Sequence, residues 1–289
     1  MSPVHILLAL LVPAVWGLGF ALAKLGMDQF PPFLIMSMRF AISALVLVWF
    51  VKPPWGHMRM IFLIAMVSAT IQYGFTFYGL RSLDASTAVI VVQLEAPFLA
   101  LLGAVFLKER LGWKKVSGMV LAFGGVGLIA GEPRLDGSLL YVGMVCAGAL
   151  TWAIGQLMIR QLKEVSGLAM LAWVSVFAAP QMFVASMLVE SGQLQAISQA
   201  SIEQWGIVLY LGLIMTAIGY LAWYTLVKSV PFSSIAPFLL LTPVTTLCFG
   251  YFVIGDVFTV AMAAGSAMVL AGIAITTIQR RTALPLASD

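Results

Sequence analysis

Residues 85–107 read ASTAVIVVQLEAPFLALLGAVFL, an apolar run interrupted near its middle by Gln93 and Glu95. A helix rises about 1.5 Å per residue and crosses the hydrocarbon of a bilayer in about 20 residues, so this run is long enough to span. Glu95 comes about ten residues into it, roughly 15 Å deep. An ionisable group at that depth is costly unless it faces water, a partner or a substrate. Glu95 therefore marks a polar interior.

The rest of the chain asks for the same setting. Apolar residues make up 62% and charged residues 9% of the sequence, against about 25% charged in an ordinary soluble domain. About ten apolar stretches of spanning length occur, centred near residues 14, 42, 68, 96, 122, 148, 178, 216, 243 and 268. Short segments rich in Pro, Gly and charge separate them, among them DQFPP, KPPWGH, KERLGWKK and IGDVF. The longest connection, from about Glu190 to Trp205, is polar and long enough to hold a surface helix. The reading is an all-α integral membrane protein with ten transmembrane helices.

Lys and Arg set the orientation, because short cytoplasmic loops are enriched in them. With the N-terminus inside, the cytoplasmic segments hold Lys52, Arg59, Lys108, Arg110, Lys114, Lys115, Arg160, Lys163, Lys228, Arg280 and Arg281, against Lys24, Arg81 and Arg134 outside. Most acids fall on the other side: Asp28, Asp84, Glu132, Asp136, Glu190, Glu203 and Asp256. The net charge of +4 thus reflects topology, and no nucleic-acid partner is expected. Both termini are expected in the cytoplasm, the membrane being a plasma membrane, the inner one of a bacterium. Ala21-Leu22-Ala23 has the small-x-small form of a signal cleavage site, but no Lys or Arg precedes the apolar run, so the first span is read as retained.

A shift of 147 residues lays the spans near 68, 96 and 122 over those near 216, 243 and 268. Tyr73 falls on Tyr220, Arg81 on Lys228, Ser86 and Thr87 on Ser233 and Ser234, Glu95 on Thr242, Gly118 on Gly265 and Gly125 on Gly272. A shift of 136 brings Trp16 onto Trp152, Gly19 onto Gly155 and Lys24 onto Arg160. The chain reads as two five-helix halves, 1–131 and 132–289. Five is odd, so the second half enters the membrane from the opposite side. Two inverted five-helix repeats are the recurrent architecture of secondary transporters, with the site near the midplane where the halves meet.

An opening span with Trp16-Gly17 and Lys24, a second beginning Arg39-Phe40, Leu94-Glu95-Ala96-Pro97 running into Lys108-Glu109-Arg110-Leu111, and then Gly118 with Gly124-Gly125-Val126 resemble the EamA-type members of the drug/metabolite transporter superfamily. One departure is Ala96, since the family more often has Glu followed directly by Pro. The resemblance covers essentially the whole chain. It implies export of amino acids, related metabolites, drugs or dyes, by a secondary-active mechanism.

Several residues could carry transport. Glu95 is the proton-coupling or ammonium-binding candidate, against a structural hydrogen-bonded carboxyl. Gln93 is two residues away and thus about 200° around the helix, so the two cannot both face one cavity and one of them must pack against protein. Arg39, roughly 9 Å into its span, could meet a substrate carboxylate, pair with an acid or snorkel to the interface. Tyr220, Trp223 and Tyr224 stand at i, i+3 and i+4, preceded by Thr216, with Tyr73, Thr76 and Phe77 as repeat counterparts and Gln72 beside them. Such faces suit the walls of a site for amphipathic molecules, the alternatives being an aromatic belt or plain packing. Trp16 and Trp152 are too deep for belt residues, and Gln156 lies one turn beyond Trp152.

The glycines at 124–127 and 265–272 suit close helix contact; a homo-oligomer would form through these helices, the alternative being a monomer. Cys146 and Cys248 fall inside spans and read as packing residues. No cofactor or metal is expected: there is no GxxxxGK[ST], no HExxH and no catalytic constellation. A facilitative uniporter or channel-like permease remains the alternative to an exporter, with an intramembrane enzyme behind both. Reporter fusions at the C-terminus and in the loop near Lys114 should both read cytoplasmic; an external signal from either would overturn the ten-span topology.

Overall fold

The computed structural model describes residues 2–107, 112–132, 137–229, 238, 241–256 and 259–277. Among these, eight helices are long and apolar enough to cross a membrane: α1 (Pro3–Gly26), α2 (Pro32–Phe50), α3 (Trp55–Ser82), α4 (Ala85–Phe106), α5 (Trp113–Ala130), α6 (Leu139–Gln161), α7 (Gly167–Val189) and α8 (Ile202–Trp223). Two shorter apolar helices follow, α9 (Leu241–Ile254) and α10 (Val260–Thr276). The connection after α7 holds a short helix, Gln193–Gln199, with its side chains largely exposed. The Lys108-Glu109-Arg110-Leu111 segment, Arg134, Asp136, Ser233, Ser234, Arg280 and Arg281 lie outside the described residues.

Large apolar side chains cover the surface. Trp49, Phe50, Phe106, Leu188 and Phe252 are all exposed, as expected of helices whose outer faces meet lipid rather than water. The helix interfaces instead use small residues, which allow backbones to approach.

The tightest such contact joins α5 to α10. A methyl group added at Gly118 would lie 2.6 Å from the Gly272 carbonyl oxygen, and one at Gly125 would lie 2.6 Å from that of Gly265. The same holds in the reverse sense, since a Cβ on Gly265 would meet the Gly125 carbonyl at 2.7 Å and one on Gly272 would clash with that of Gly118. Gly127 faces open space and Gly124 meets only the tip of Met268. The pair 118/125, one face of α5, makes the contact rather than the 124–127 run singled out from sequence. Seven residues are close to two helical turns, which keeps both glycines on one face.

The other neighbours come in corresponding pairs. Helix α1 packs on α9 as α6 packs on α4; α3 packs on α6 as α8 packs on α1; α2 packs on α8 as α7 packs on α3; and α2 lies along α7. The helix ends carrying Lys24, Asp84, Glu190 and Asp256 are joined by polar contacts. Glu190 accepts from the backbone N–H of Phe33 (2.8 Å) and Leu34 (3.2 Å) at the start of α2, and from the Tyr78 hydroxyl (3.0 Å). Asp256 accepts from the Ser86 N–H (2.9 Å) and hydroxyl (2.7 Å) at the start of α4. Lys24 donates to the Leu80 (3.0 Å) and Arg81 (2.6 Å) carbonyls at the end of α3. Carboxylates thus sit at helix N-termini and an ammonium at a C-terminus, as the helix dipole favours.

Helix α4 departs from the continuous span read from sequence. It is helical over Ala85–Val92 and again over Glu95–Leu107, with a turn at Gln93 and Leu94. The cause is Pro97, which has no N–H for the Gln93 carbonyl and whose ring would strike it. That carbonyl instead accepts from the Ala96 N–H at 3.3 Å, and regular bonding resumes at Phe98 N to Leu94 O, 2.9 Å. The 200° separation of Gln93 from Glu95 therefore does not apply, because the two residues flank a break.

Gly125→Ala should lower the unfolding free energy of the purified protein by about 1–3 kcal/mol through overpacking. Gly127→Ala, with free space around it, should be neutral or stabilising by up to about 1 kcal/mol. Equal effects of the two in a denaturation series would contradict this contact.

Candidate functional site

Two stretches of π-helix interrupt long spans, Met66–Ile71 in α3 and Tyr210–Ile218 in α8. Moved by 147 residues, the first falls on 213–218, within the second. An i to i+5 pattern widens the helix locally, displaces carbonyls from their usual partners, and is found mostly at functional sites. Here the displaced groups are used. The Trp16 indole N–H donates to the Met215 carbonyl at 3.2 Å, and the Thr216 hydroxyl donates to the Leu211 carbonyl, five residues back, at 2.8 Å.

Arg39 lies beside that segment. Only 1% of its surface is exposed, so it does not snorkel, and no carboxylate pairs with it among the described residues. Its Nε donates to the Thr216 hydroxyl oxygen at 2.8 Å, and one terminal nitrogen has a weak contact of 3.8 Å to the Met36 sulfur. Its carbon centre lies 5.0 Å from the Tyr73 ring centroid and 5.4 Å from that of Phe40. The expectation of an acid partner or an interfacial anchor is replaced by a guanidinium packed beside the edge-on Phe40–Tyr73 pair and bonded to a hydroxyl. Gly212 lets α8 come this close, since a Cβ there would lie 3.1 Å from the Arg39 carbonyl. Ser43, one turn on, donates to the Gly212 carbonyl at 2.8 Å.

Magnitudes show what this environment leaves undone. Desolvating a guanidinium costs several kcal/mol. Cation–π contacts return about 0.5–2 kcal/mol each, and a hydrogen bond to a charged group about 1.5–3 kcal/mol. The three remaining N–H groups have no acceptor among the described residues. The site is thus electropositive and under-satisfied.

The aromatic residues form two groups around it. Tyr73 meets Phe40 edge-on at 5.4 Å and stacks on Phe77 at 5.3 Å, and Phe77 stacks on Phe20 at 6.2 Å. Trp16 lies 5.2 Å from Tyr220 and 6.1 Å from Trp223. Trp16, Arg39, Tyr73, Tyr220 and Trp223 are accordingly brought together around the 210–223 stretch of α8. The Tyr224 side chain lies outside the described residues.

The other candidates lie on α3, α6 and α4. Gln72 is buried and donates to the Thr76 hydroxyl at 3.1 Å, while its carbonyl oxygen is buried with no partner; both residues face α6 at Gly148, where a Cβ would clash with Thr76. Trp152 and Gln156 are half-buried on α6. Glu95 is half-buried at the start of the second half of α4. Among the described residues no hydrogen bond or ion pair reaches its carboxylate. Two open apolar grooves of about 410 and 290 Å³ lie between α3 and α7, share Phe62 and Phe177, and are lined by none of these candidates.

Sequence reading noted Thr216 only as preceding the aromatic stripe. Its role depends on the π-helical segment, for which the sequence carries no signal beyond the repeat itself.

The sequence pattern of an EamA-like transporter family matches residues 4–131 and again 139–278. The chain belongs to this family. Relatives of the EamA chain include proteins named "Probable amino-acid metabolite efflux pump" in Salmonella typhimurium, 29% identical over 96% of both chains, and in Escherichia coli, 28% identical over 93% of both. A "Probable terminal-alkyne amino-acid exporter" of Streptantibioticus cattleyicolor is 26% identical over 94% of this chain and 92% of its own. A solved crystal structure superposes with a TM-score of 0.67 over 97% of this chain and 98% of that one at 18% identity, which is a likeness of fold. The protein is an integral membrane protein of a transporter family.

Proposed function

We propose that this protein is a secondary-active exporter of small amino-acid-like or amphipathic metabolites, working by alternating access between two inverted five-helix halves, 1–131 and 132–289. It is not an enzyme in this reading. The observation that carries it is Glu95: a carboxylate with no partner among the described residues, at a break midway through a membrane-length helix. In transporters such breaks lie beside substrate and ion sites, because exposed backbone is tolerated only where it lines protein or a polar cavity. The names of the relatives support the substrate class.

Support for the two halves comes from the paired helix contacts, the repeated π-helical stretches and the double match of the family pattern. Exchanging the halves by 147 residues turns the Gly118–Gly272 contact into the Gly265–Gly125 contact, as a two-fold axis would require. Five helices per half make that axis lie in the membrane plane. The charge bias orients both termini toward the cytoplasm, in a bacterial inner membrane.

In this mechanism Glu95 takes up a proton from one side and releases it on the other as the halves rock. The aromatic groups of Trp16, Tyr73, Tyr220 and Trp223, together with Tyr224, Trp152, Gln72 and Gln156, supply apolar and polar walls, and the lipid bilayer and a small-molecule substrate are its partners. In proteoliposomes, Glu95→Gln should abolish the dependence of flux on a pH gradient while substrate exchange persists, since the amide keeps size and hydrogen bonding but does not titrate. A variant with unchanged affinity, flux and pH response would contradict a transport role for Glu95. Ungated flux indifferent to solute chemistry in the unmodified protein would favour a channel.

A further inference from the structure

We infer that Arg39 is the anchor for a carboxylate on the transported solute, and that Thr216 holds its place when no solute is bound. This deepens the exporter reading and rests on it. The guanidinium is buried, lies far along the chain from Glu95, and has no acid beside it among the described residues. A planar fork with three unused N–H groups matches a carboxylate, which can accept two of them in parallel. A cationic solute finds nothing to recognise here. The Tyr73 and Phe40 rings, 5.0 and 5.4 Å from the guanidinium carbon, hold it in position while leaving N–H groups to donate to in-plane partners.

Thr216 is suited to yield. Its oxygen accepts from Arg39 Nε at 2.8 Å while its own hydrogen already goes to the Leu211 carbonyl at 2.8 Å. Losing Arg39 to a stronger, charged acceptor leaves the hydroxyl with its bond to Leu211, so the exchange strands no donor on α8. Thr216 belongs to the π-helical stretch of α8, and Tyr73 lies two residues beyond the end of the π-helical stretch of α3, in regular helix. Arg39 thus touches the irregular segment of α8 and the helix that follows that of α3. A carboxylate that takes the guanidinium from Thr216 loosens α2 from α8, which ties recognition of the solute to movement between the halves.

Binding to purified protein in nanodiscs tests this, with phenylalanine, leucine and methionine each compared with its carboxamide, in which the carboxylate is replaced by a neutral group of similar size. The unmodified protein should bind at least one acid about tenfold or more tighter than its amide, the ratio expected for a charged hydrogen-bonding pair. Arg39→Met should abolish that preference by weakening acid binding about tenfold or more and amide binding far less, while Thr216→Val, which removes the competing acceptor at similar shape, should tighten acid binding severalfold. The opposite signs separate recognition from a general packing role.

An acid-to-amide ratio that survives in Arg39→Met, or acid binding weakened by Thr216→Val, overturns the inference. Should Arg39→Met fail to fold, Arg39→Lys with the Thr216→Val result decides. If the unmodified protein transports amphipathic cations but shows no preference for any of the acids, the carboxylate anchor is wrong and the exporter reading stands. If neither these solutes nor cations cross under any gradient, the exporter reading is what fails.

Discussion

In hydrocarbon, a backbone N–H or C=O has no water to turn to, so every departure from regular helix must find its partner inside the protein. That constraint governs this fold. Among the described residues the departures within spans include the turn at Gln93–Leu94 and the π-helical stretches of α3, α8 and α9. Those of α4, α8 and α9 find partners inside the protein: Gln93 in the Ala96 N–H, Met215 in the Trp16 indole, and Gly250 in the Asp256 N–H. The irregular backbone of α4 and α8 coincides with Glu95 and with the surroundings of Arg39. Charge and broken helix therefore occur together, and each makes the other tolerable.

Much of the architecture was legible in the sequence, because the bilayer imposes length and composition on every span. Of the ten apolar stretches, eight are helices of spanning length and two are shorter apolar helices among the described residues; these, the short helix after Glu190 and the family followed from apolar run length, loop residues and ordered motifs. The glycines of the fifth and tenth helices were correctly read as contact residues, but the wrong pair in α5 was favoured. A GxxG run looks stronger on paper than Gly118 and Gly125, whose seven-residue spacing matters only once the partner helix is in place. The break in α4 was also available from Pro97 four residues beyond Gln93, and was obscured by the uniform apolarity of the run.

The surroundings of Arg39 were not legible in the same way. Its position six or seven residues into a span left pairing, solute binding and snorkelling all open, and only the packing of α2 against α8 at Gly212 removes the path to the interface. Trp16, Tyr73, Tyr220 and Trp223 were found from helical periodicity and the repeat, yet their gathering around one stretch of α8 depends on tertiary contacts between α1, α2, α3 and α8. Glu190 and Asp256 were read only as charges on one side of the membrane. In the structure they are helix caps: Glu190, at the end of α7, binds the start of α2, and Asp256, just beyond α9, binds the start of α4.

In the proposed mechanism those caps are what alternating access must undo, and distances between spin labels measure it most directly. One pair, at Asp28 and Ser198, reports the end closed by Glu190 and Asp256; a second, at Gly56 and Glu164, reports the opposite, basic end. On addition of a transported amino acid or a change of pH, the two distance distributions should move in opposite directions, one end closing as the other opens. Distances that stay fixed at both ends, or that widen together, would contradict two halves rocking about a central site.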